Sequence, residues 1–189
     1  MTSYLLRAAL ALFCAAPAVA QASETVNVGH FDSVALNGGG RVILRHGATQ
    51  SVVIRKGSAQ ITHFVIKDGH TLKIDQCENN CPSSYDLEIE ITTPDIEAVA
   101  LNGGGEIGTE GSFPIANEIA AAINGGGEID VSAIPAKSAT AAINGGGEIK
   151  LAASDRLTAA VRGGGDIAYR GHPQVTQAIQ GGGSVERLD

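Results

Sequence analysis

Apolar and polar residues alternate along much of this chain. Thr71-Leu72-Lys73-Ile74-Asp75 and Tyr85-Asp86-Leu87-Glu88-Ile89-Glu90-Ile91 place an apolar side chain on every second residue. That period of two predicts β-strands with one buried face. The shorter units Ile129-x-Val131, Ile149-x-Leu151 and Ile167-x-Tyr169 keep the same period. Pro114, Pro135 and Pro173 fall between such units, where proline suits turns better than central strands. No segment carries a helical period, so the chain is predicted to be all-β.

The strands belong to an internal repeat. Gly-Gly-Gly occurs six times, starting at Gly38, Gly103, Gly125, Gly145, Gly163 and Gly181, and takes 18 of the 25 glycines. Each triplet follows an alanine, a large aliphatic and a polar residue, as in Ala142-Ile143-Asn144. After it come a residue that is usually charged and then Ile or Val, as in Glu148-Ile149. The last five triplets lie 22, 20, 18 and 18 residues apart, and the first interval is 65. A period near ~20 residues with short strands predicts a solenoid whose coils stack strand on strand, about 4.8 Å apart. The expected architecture is a β-helix-like solenoid of about eight coils, roughly 35 Å long. The 65-residue interval is expected to hold the same coils with longer turns.

Three consecutive glycines need a reason. A corner may demand a positive φ, or something may approach the backbone where a Cβ would clash. The close neighbour is either the next wall of the stack or a ligand. The internal wall is the simpler expectation.

The first residues bear on the compartment. Arg7 precedes an apolar run, Ala8 to Ala16, and then Pro17-Ala18-Val19-Ala20. This reads as a secretory signal peptide over residues 1–20, cleaved after Ala20 or Ala22. The run is short of the roughly 20 residues that span a bilayer. Residues 23–189 are then one exported domain without a transmembrane segment. Net charge is −7, or −8 once Arg7 is lost. An acidic chain without a basic patch argues against nucleic-acid partners. Cys77 and Cys81, in Cys-Glu-Asn-Asn-Cys, are expected to form a local disulfide in an oxidising compartment. Half of a zinc site is the alternative, but no second ligand pair accompanies them.

Stacking would put the residues after the triplets in register: Arg41, Glu106, Glu128, Glu148, Asp166 and Ser184. Four adjacent carboxylates repel one another unless water screens them or cations bind. Asn102, Asn124 and Asn144 form a second row, open to hydrogen-bonded ladders. Both rows are candidate parts of a ligand face. The five histidines occupy unrelated repeat positions, and no nucleophile elbow, zinc-protease motif or phosphate loop is present. No catalytic residue, cofactor or metal site is expected. The last strand carries Glu186, Arg187 and Asp189, which should discourage end-to-end pairing, so a monomer is expected.

Two passages carry a family resemblance. Phe31-Asp-Ser-Val-Ala-Leu-Asn-Gly-Gly-Gly-Arg-Val-Ile-Leu resembles the opening of the bacterial head GIN domain family, whose members are labelled autotransporter adhesins. Ile91-Thr-Thr-Pro-Asp-Ile-Glu-Ala-Val-Ala-Leu-Asn-Gly-Gly-Gly-Glu-Ile is similar to that family's central passage. The stretch Val65–Ile74 lies between them, as in the family. The resemblance spans about residues 26–187. It implies an exported, right-handed parallel β-helix-like domain with no known catalytic residues. The first functional reading is a binding or structural module of the periplasm or cell surface, its ligand an envelope or surface polysaccharide or protein held along the flat ladder face. The closing Val185-Glu-Arg-Leu-Asp does not resemble a membrane-barrel strand, so display through a barrel of its own is not expected. A carbohydrate-active lyase or hydrolase on a β-helix is the alternative; it would require an acidic pair that breaks the repeat.

Overall fold

The computed structural model describes residues 23–77, 81–82 and 84–188. The signal-peptide segment lies outside the described residues. β1 (Glu24–Val26) precedes the first repeat, which is β2 (Ser33–Gly38) and β3 (Arg41–His46). The long interval holds β4 (Ser51–Lys56), β5 (His63–Lys67), β6 (Thr71–Asp75) and β7 (Glu88–Thr93). The later repeats are β8 (Ala98–Gly103), β9 (Glu106–Glu110), β10 (Ala116–Gly125), β11 (Glu128–Gly145), β12 (Glu148–Gly163), β13 (Asp166–Arg170), β14 (Gln174–Gly181) and β15 (Ser184–Arg187). There is no helix among the described residues, and the strands form one mixed sheet that curls strongly on itself.

Each triplet is a corner between two limbs of this sheet. Residues ahead of the triplets form the first limb, in the parallel order β6, β2, β8, β10, end of β11, end of β12, β14. Residues behind them form the second: β7, β3, β9, start of β11, start of β12, β13, β15. The register is that of the repeat: Ile123 lies beside Ile143, Asn124 beside Asn144, and Glu128 beside Glu148.

Alternation then decides what is buried. Leu36, Leu101, Ile123, Ile143 and Val161 form an inward column on the first limb, each no more than 2% exposed. Val42, Ile107, Ile129, Ile149 and Ile167 form its counterpart on the second. Both columns belong to one hydrophobic core, and each such side chain contributes about 1.5–3 kcal/mol relative to exposure. Many remaining inward positions are alanine, including Ala121, Ala141 and Ala159, so the limbs can lie close together.

The long first interval departs from the expected run of repeats. It supplies one layer, β6 and β7, which pairs in parallel with β2 and β3. Its other strands reverse: β5 is antiparallel to β6, β4 to β7, and β1 to β4. The interval folds back beneath the first repeat and closes that end of the stack. The first repeat is thus free to pair directly with the second, so Gly38 lies beside Gly103 across 65 residues of chain. A uniform parallel stack of about eight coils is therefore not what the described residues form. Reversal in the 41–97 region depends on pairings distant in sequence, which a repeat period does not encode.

Candidate binding surface

The first limb turns a flat face outward. Ala100, Ala122, Ala142, Ala160 and Ala178 form a column of small side chains, one per strand. Beside it runs a polar column: Asn37, Asn102, Asn124, Asn144, Arg162 and Gln180. From Ala100 and Asn102 onward the two columns line a shallow groove of about 370 Å³ that crosses the strands. The asparagines bond along the stack, Asn102 Nδ2 donating to Asn37 Oδ1 at 2.8 Å and Asn144 Nδ2 to Asn124 Oδ1 at 2.9 Å. Both pairs are exposed, so their remaining donors and acceptors face solvent or a ligand.

The carboxylate row lies on the outer face of the second limb. Arg41, Glu106, Glu128 and Glu148 line a different groove, of about 720 Å³, with Gly104 and Gly126 at its margin. The asparagine and carboxylate rows are adjacent in sequence, but the glycine corner between them turns them onto separate surfaces. They do not combine into one site. Basic side chains also meet the carboxylates. Lys150 Nζ lies 2.7 Å from Glu128 and 3.3 Å from Glu148, and Arg41 lies 2.8 Å from Glu106. The hydrogen bond from Lys150 to Glu128 raises the lysine pKa against the opposing effect of burial, and Glu148 adds to the rise. At the end of the row, Asp166 Oδ1 accepts from the Ser184 backbone and hydroxyl at 3.0 and 2.8 Å. Among the described residues no group of three or more His, Cys, Asp or Glu is arranged to hold a metal ion.

Lys150 was not singled out from the sequence, although a signal existed. It stands two residues after Glu148, and period two puts both on one face of the strand. Glu90 is a similar case. Arg55 Nη2 donates to it at 2.8 Å and Arg45 Nε lies 3.3 Å away. The bond from Arg55 lowers the Glu90 pKa and, with Arg45, outweighs the burial that would raise it.

The glycines of each corner divide by position. The first has positive φ, +139° at Gly125 and Gly145, and a Cβ on Gly145 would lie 2.1 Å from the Gly125 carbonyl oxygen. A Cβ on the third, Gly147, would lie 2.6 Å from the Gly127 oxygen and 2.8 Å from Ile123. The middle glycines differ. Gly104, Gly126, Gly146, Gly164 and Gly182 are exposed, and a Cβ on any of them meets nothing within 4 Å.

In the β6–β7 layer a longer turn replaces the triplet. Cys77 and Cys81 are disulfide-bonded there. Gln76 makes the corner contacts, its Oε1 accepting from Gly39 N at 2.7 Å and its Nε2 donating to Tyr85 O at 3.0 Å. Asp75 continues the asparagine column and accepts from Asn37 at 2.7 Å. Burial would raise the Asp75 pKa, but hydrogen bonds from Lys73 and Asn37 outweigh it and the pKa is lowered.

The sequence model of the family described as "Putative auto-transporter adhesin, head GIN domain" matches residues 30–116 and 114–173. Among curated proteins none matches the chain. The fold is similar to a crystal structure from Bacteroides fragilis described as a "putative adhesin", at 16% identity and a TM-score of 0.57, covering 88% of this chain and 96% of that one. A "putative adhesin" from Parabacteroides merdae matches at 15% identity and a TM-score of 0.40, covering 89% and 96%. A "Putative lipid binding protein" from Parabacteroides distasonis matches at 18% and 0.40, with the same coverage.

Proposed function

This chain belongs to the head GIN domain family, and from that premise we propose that it is an exported, non-catalytic module of the cell envelope or surface that holds an extended ligand. The signal-peptide reading of residues 1–20 supports export, with residues 23–189 as one domain. The parallel, glycine-cornered part is a short solenoid in this reading. The descriptions of the family and of the Bacteroides fragilis protein as adhesins agree with an attachment role.

The observation that carries the reading is the outer face of the first limb. Alanine and amide columns repeat in register along its groove, once per layer. Such a face presents evenly spaced donors and acceptors beside a trough without bulky side chains, which suits a polysaccharide or an extended protein segment. The bare middle glycines allow close approach to the backbone at the adjoining corner. Repetition also supports a non-catalytic role. It yields rows of equivalent groups, whereas a catalytic pair needs two carboxylates in different environments.

Location is the first test. Protease is applied to intact cells and to spheroplasts of the host. Cleavage on intact cells places the module at the surface, and protection until the outer layer opens places it in the periplasm. Purified mature protein is then applied to arrays of envelope glycans. Retained binding that Asn124→Ala with Asn144→Ala abolishes is the expected result. Release of oligosaccharide from a bound glycan would overturn the non-catalytic reading.

A further inference from the structure

The two ends of the stack are built differently. At the first, β5 and β4 lie antiparallel on β6 and β7, and Leu72 and Ile74 are fully buried. At the other, among the described residues, β14 pairs only with β12, and β15 only with β13. Inward aliphatics lie open there. Val175 is 37% and Ile179 39% exposed, whereas their neighbours Leu157 and Val161 in the layer before are at 0%. Gln177 stands between them in the inward column that carries Ala121, Ala141 and Ala159 in earlier layers.

Edge strands are commonly protected by charge, proline or a bulge. β14 reads Gln-Val-Thr-Gln-Ala-Ile-Gln-Gly, with neither charge nor proline. The charges that argue for a monomer, Glu186 and Arg187, lie on β15 in the other limb. We infer that β14 is a docking edge for a second copy of this chain, paired antiparallel about a twofold axis through Gln177.

The register selects a second copy over an unrelated strand, because β14 is complementary to itself. Centred on Gln177, antiparallel pairing sets Val175 opposite Ile179 of the second copy, and Ile179 opposite its Val175. Residues directly opposite share a face, so all four aliphatics lie on the inner side and the two cores become continuous. The two Gln177 amides meet on the axis. Each can donate to and accept from the other, which satisfies polar groups that the new layer buries. On the outer side Gln174 meets Gln180 and Thr176 meets Ala178. No like charges face one another. A shift of register would set a buried amide against Val or Ile, so Gln177 also fixes the alignment.

The test is light scattering on the mature chain, combined with cysteine crosslinking. The expected mass is twice that of one chain at micromolar concentration. Gln177→Cys should crosslink to itself under mild oxidation, because opposite Cβ atoms in such a pair lie about 4.5–5.5 Å apart. Gln174→Cys should not, since its partner is Gln180. Gln177→Asp and Gln177→Lys should each give the single-chain mass, and their mixture should restore the doubled mass. Thermal unfolding of each variant separates a lost contact from a lost fold, and the cysteine pair tests the register without adding charge. A single-chain mass at every concentration would overturn the inference and leave Gln177 as a polar cap. Equal crosslinking at both positions, or a dimer that Gln177→Asp leaves intact, would overturn it as well.

Discussion

A Cβ on Gly145 would sit 2.1 Å from the carbonyl oxygen of Gly125, the same corner position one layer earlier. The two residues are register partners on β10 and β11. Gly145 also has a φ of +139°, which an L side chain rarely adopts. The stacking distance itself therefore demands glycine. Gly145→Ala is expected to destabilise by more than about 2 kcal/mol, from backbone strain together with displacement of the layer below. Gly146→Ala and Gly146→Val, one residue further, should leave the unfolding midpoint unchanged. Denaturant titration of the three variants checks the contrast, and equal losses would mean that the middle glycine is also needed for packing.

The inward aliphatics offer a second contrast along one column. Ile143 is 2% exposed and Ile179 is 39% exposed, although the repeat makes them equivalent. Ile143→Ala should cost about 2–5 kcal/mol, the range for a buried aliphatic that leaves a cavity. Ile179→Ala should cost well under half as much in dilute protein, where β14 is the last strand. Urea melts at low concentration would show it.

Much of this was legible in the sequence because stacking turns a period into a register. The positions of Ile143, Asn144 and Glu148 follow from counting within the repeat, and the structure places each beside its counterpart in the neighbouring layer. The disulfide between Cys77 and Cys81 was also expected. Two features were not legible. The first is the cap. β4 and β5 alternate like other strands, and nothing local in Ser51–Lys56 distinguishes antiparallel from parallel pairing. The second is the divergence of the two candidate rows. Asn144 and Glu148 flank one triplet and look like neighbours, yet the positive φ at Gly145 turns the chain between them onto another surface. Three-dimensional direction at a glycine corner is not contained in spacing.

Lys150 tests whether the carboxylate row is balanced from within. It bridges Glu128 and Glu148, with its side chain 30% exposed. Lys150→Met keeps much of the aliphatic stem and removes the charge, leaving the two carboxylates in register without their cation. A loss of about 1 kcal/mol is expected at low ionic strength, and it should shrink as salt is added. A variant as stable as the parent at low salt would show that water alone screens the row. Added calcium that restores the variant would show that the row can recruit a cation when its lysine is gone.

Glu90 gives the chain an acid-sensitive joint. It is register partner to Ile43 of β3 and to Val53 of β4, so it lies where the antiparallel cap meets the parallel layers. Arg55 and Arg45 lower its pKa in the folded state. A depressed carboxylate stabilises the fold fully above its unfolded-state pKa, and that contribution is lost as pH falls through the lower folded value. Stability should therefore hold from neutral pH down to about 5 and decline below about 4, where Asp75, lowered by Lys73 and Asn37, follows the same sign. Glu90→Gln should cost about 1 kcal/mol near neutral pH, a modest figure because both arginines are partly solvated. At pH 3 the gap between variant and parent should be smaller than at neutral pH, since the contribution of the charge is lost progressively below the unfolded-state pKa. Chemical denaturation at both pH values measures the two differences. A gap that persists undiminished in acid would assign the effect of Glu90 to packing between cap and stack and not to its charge.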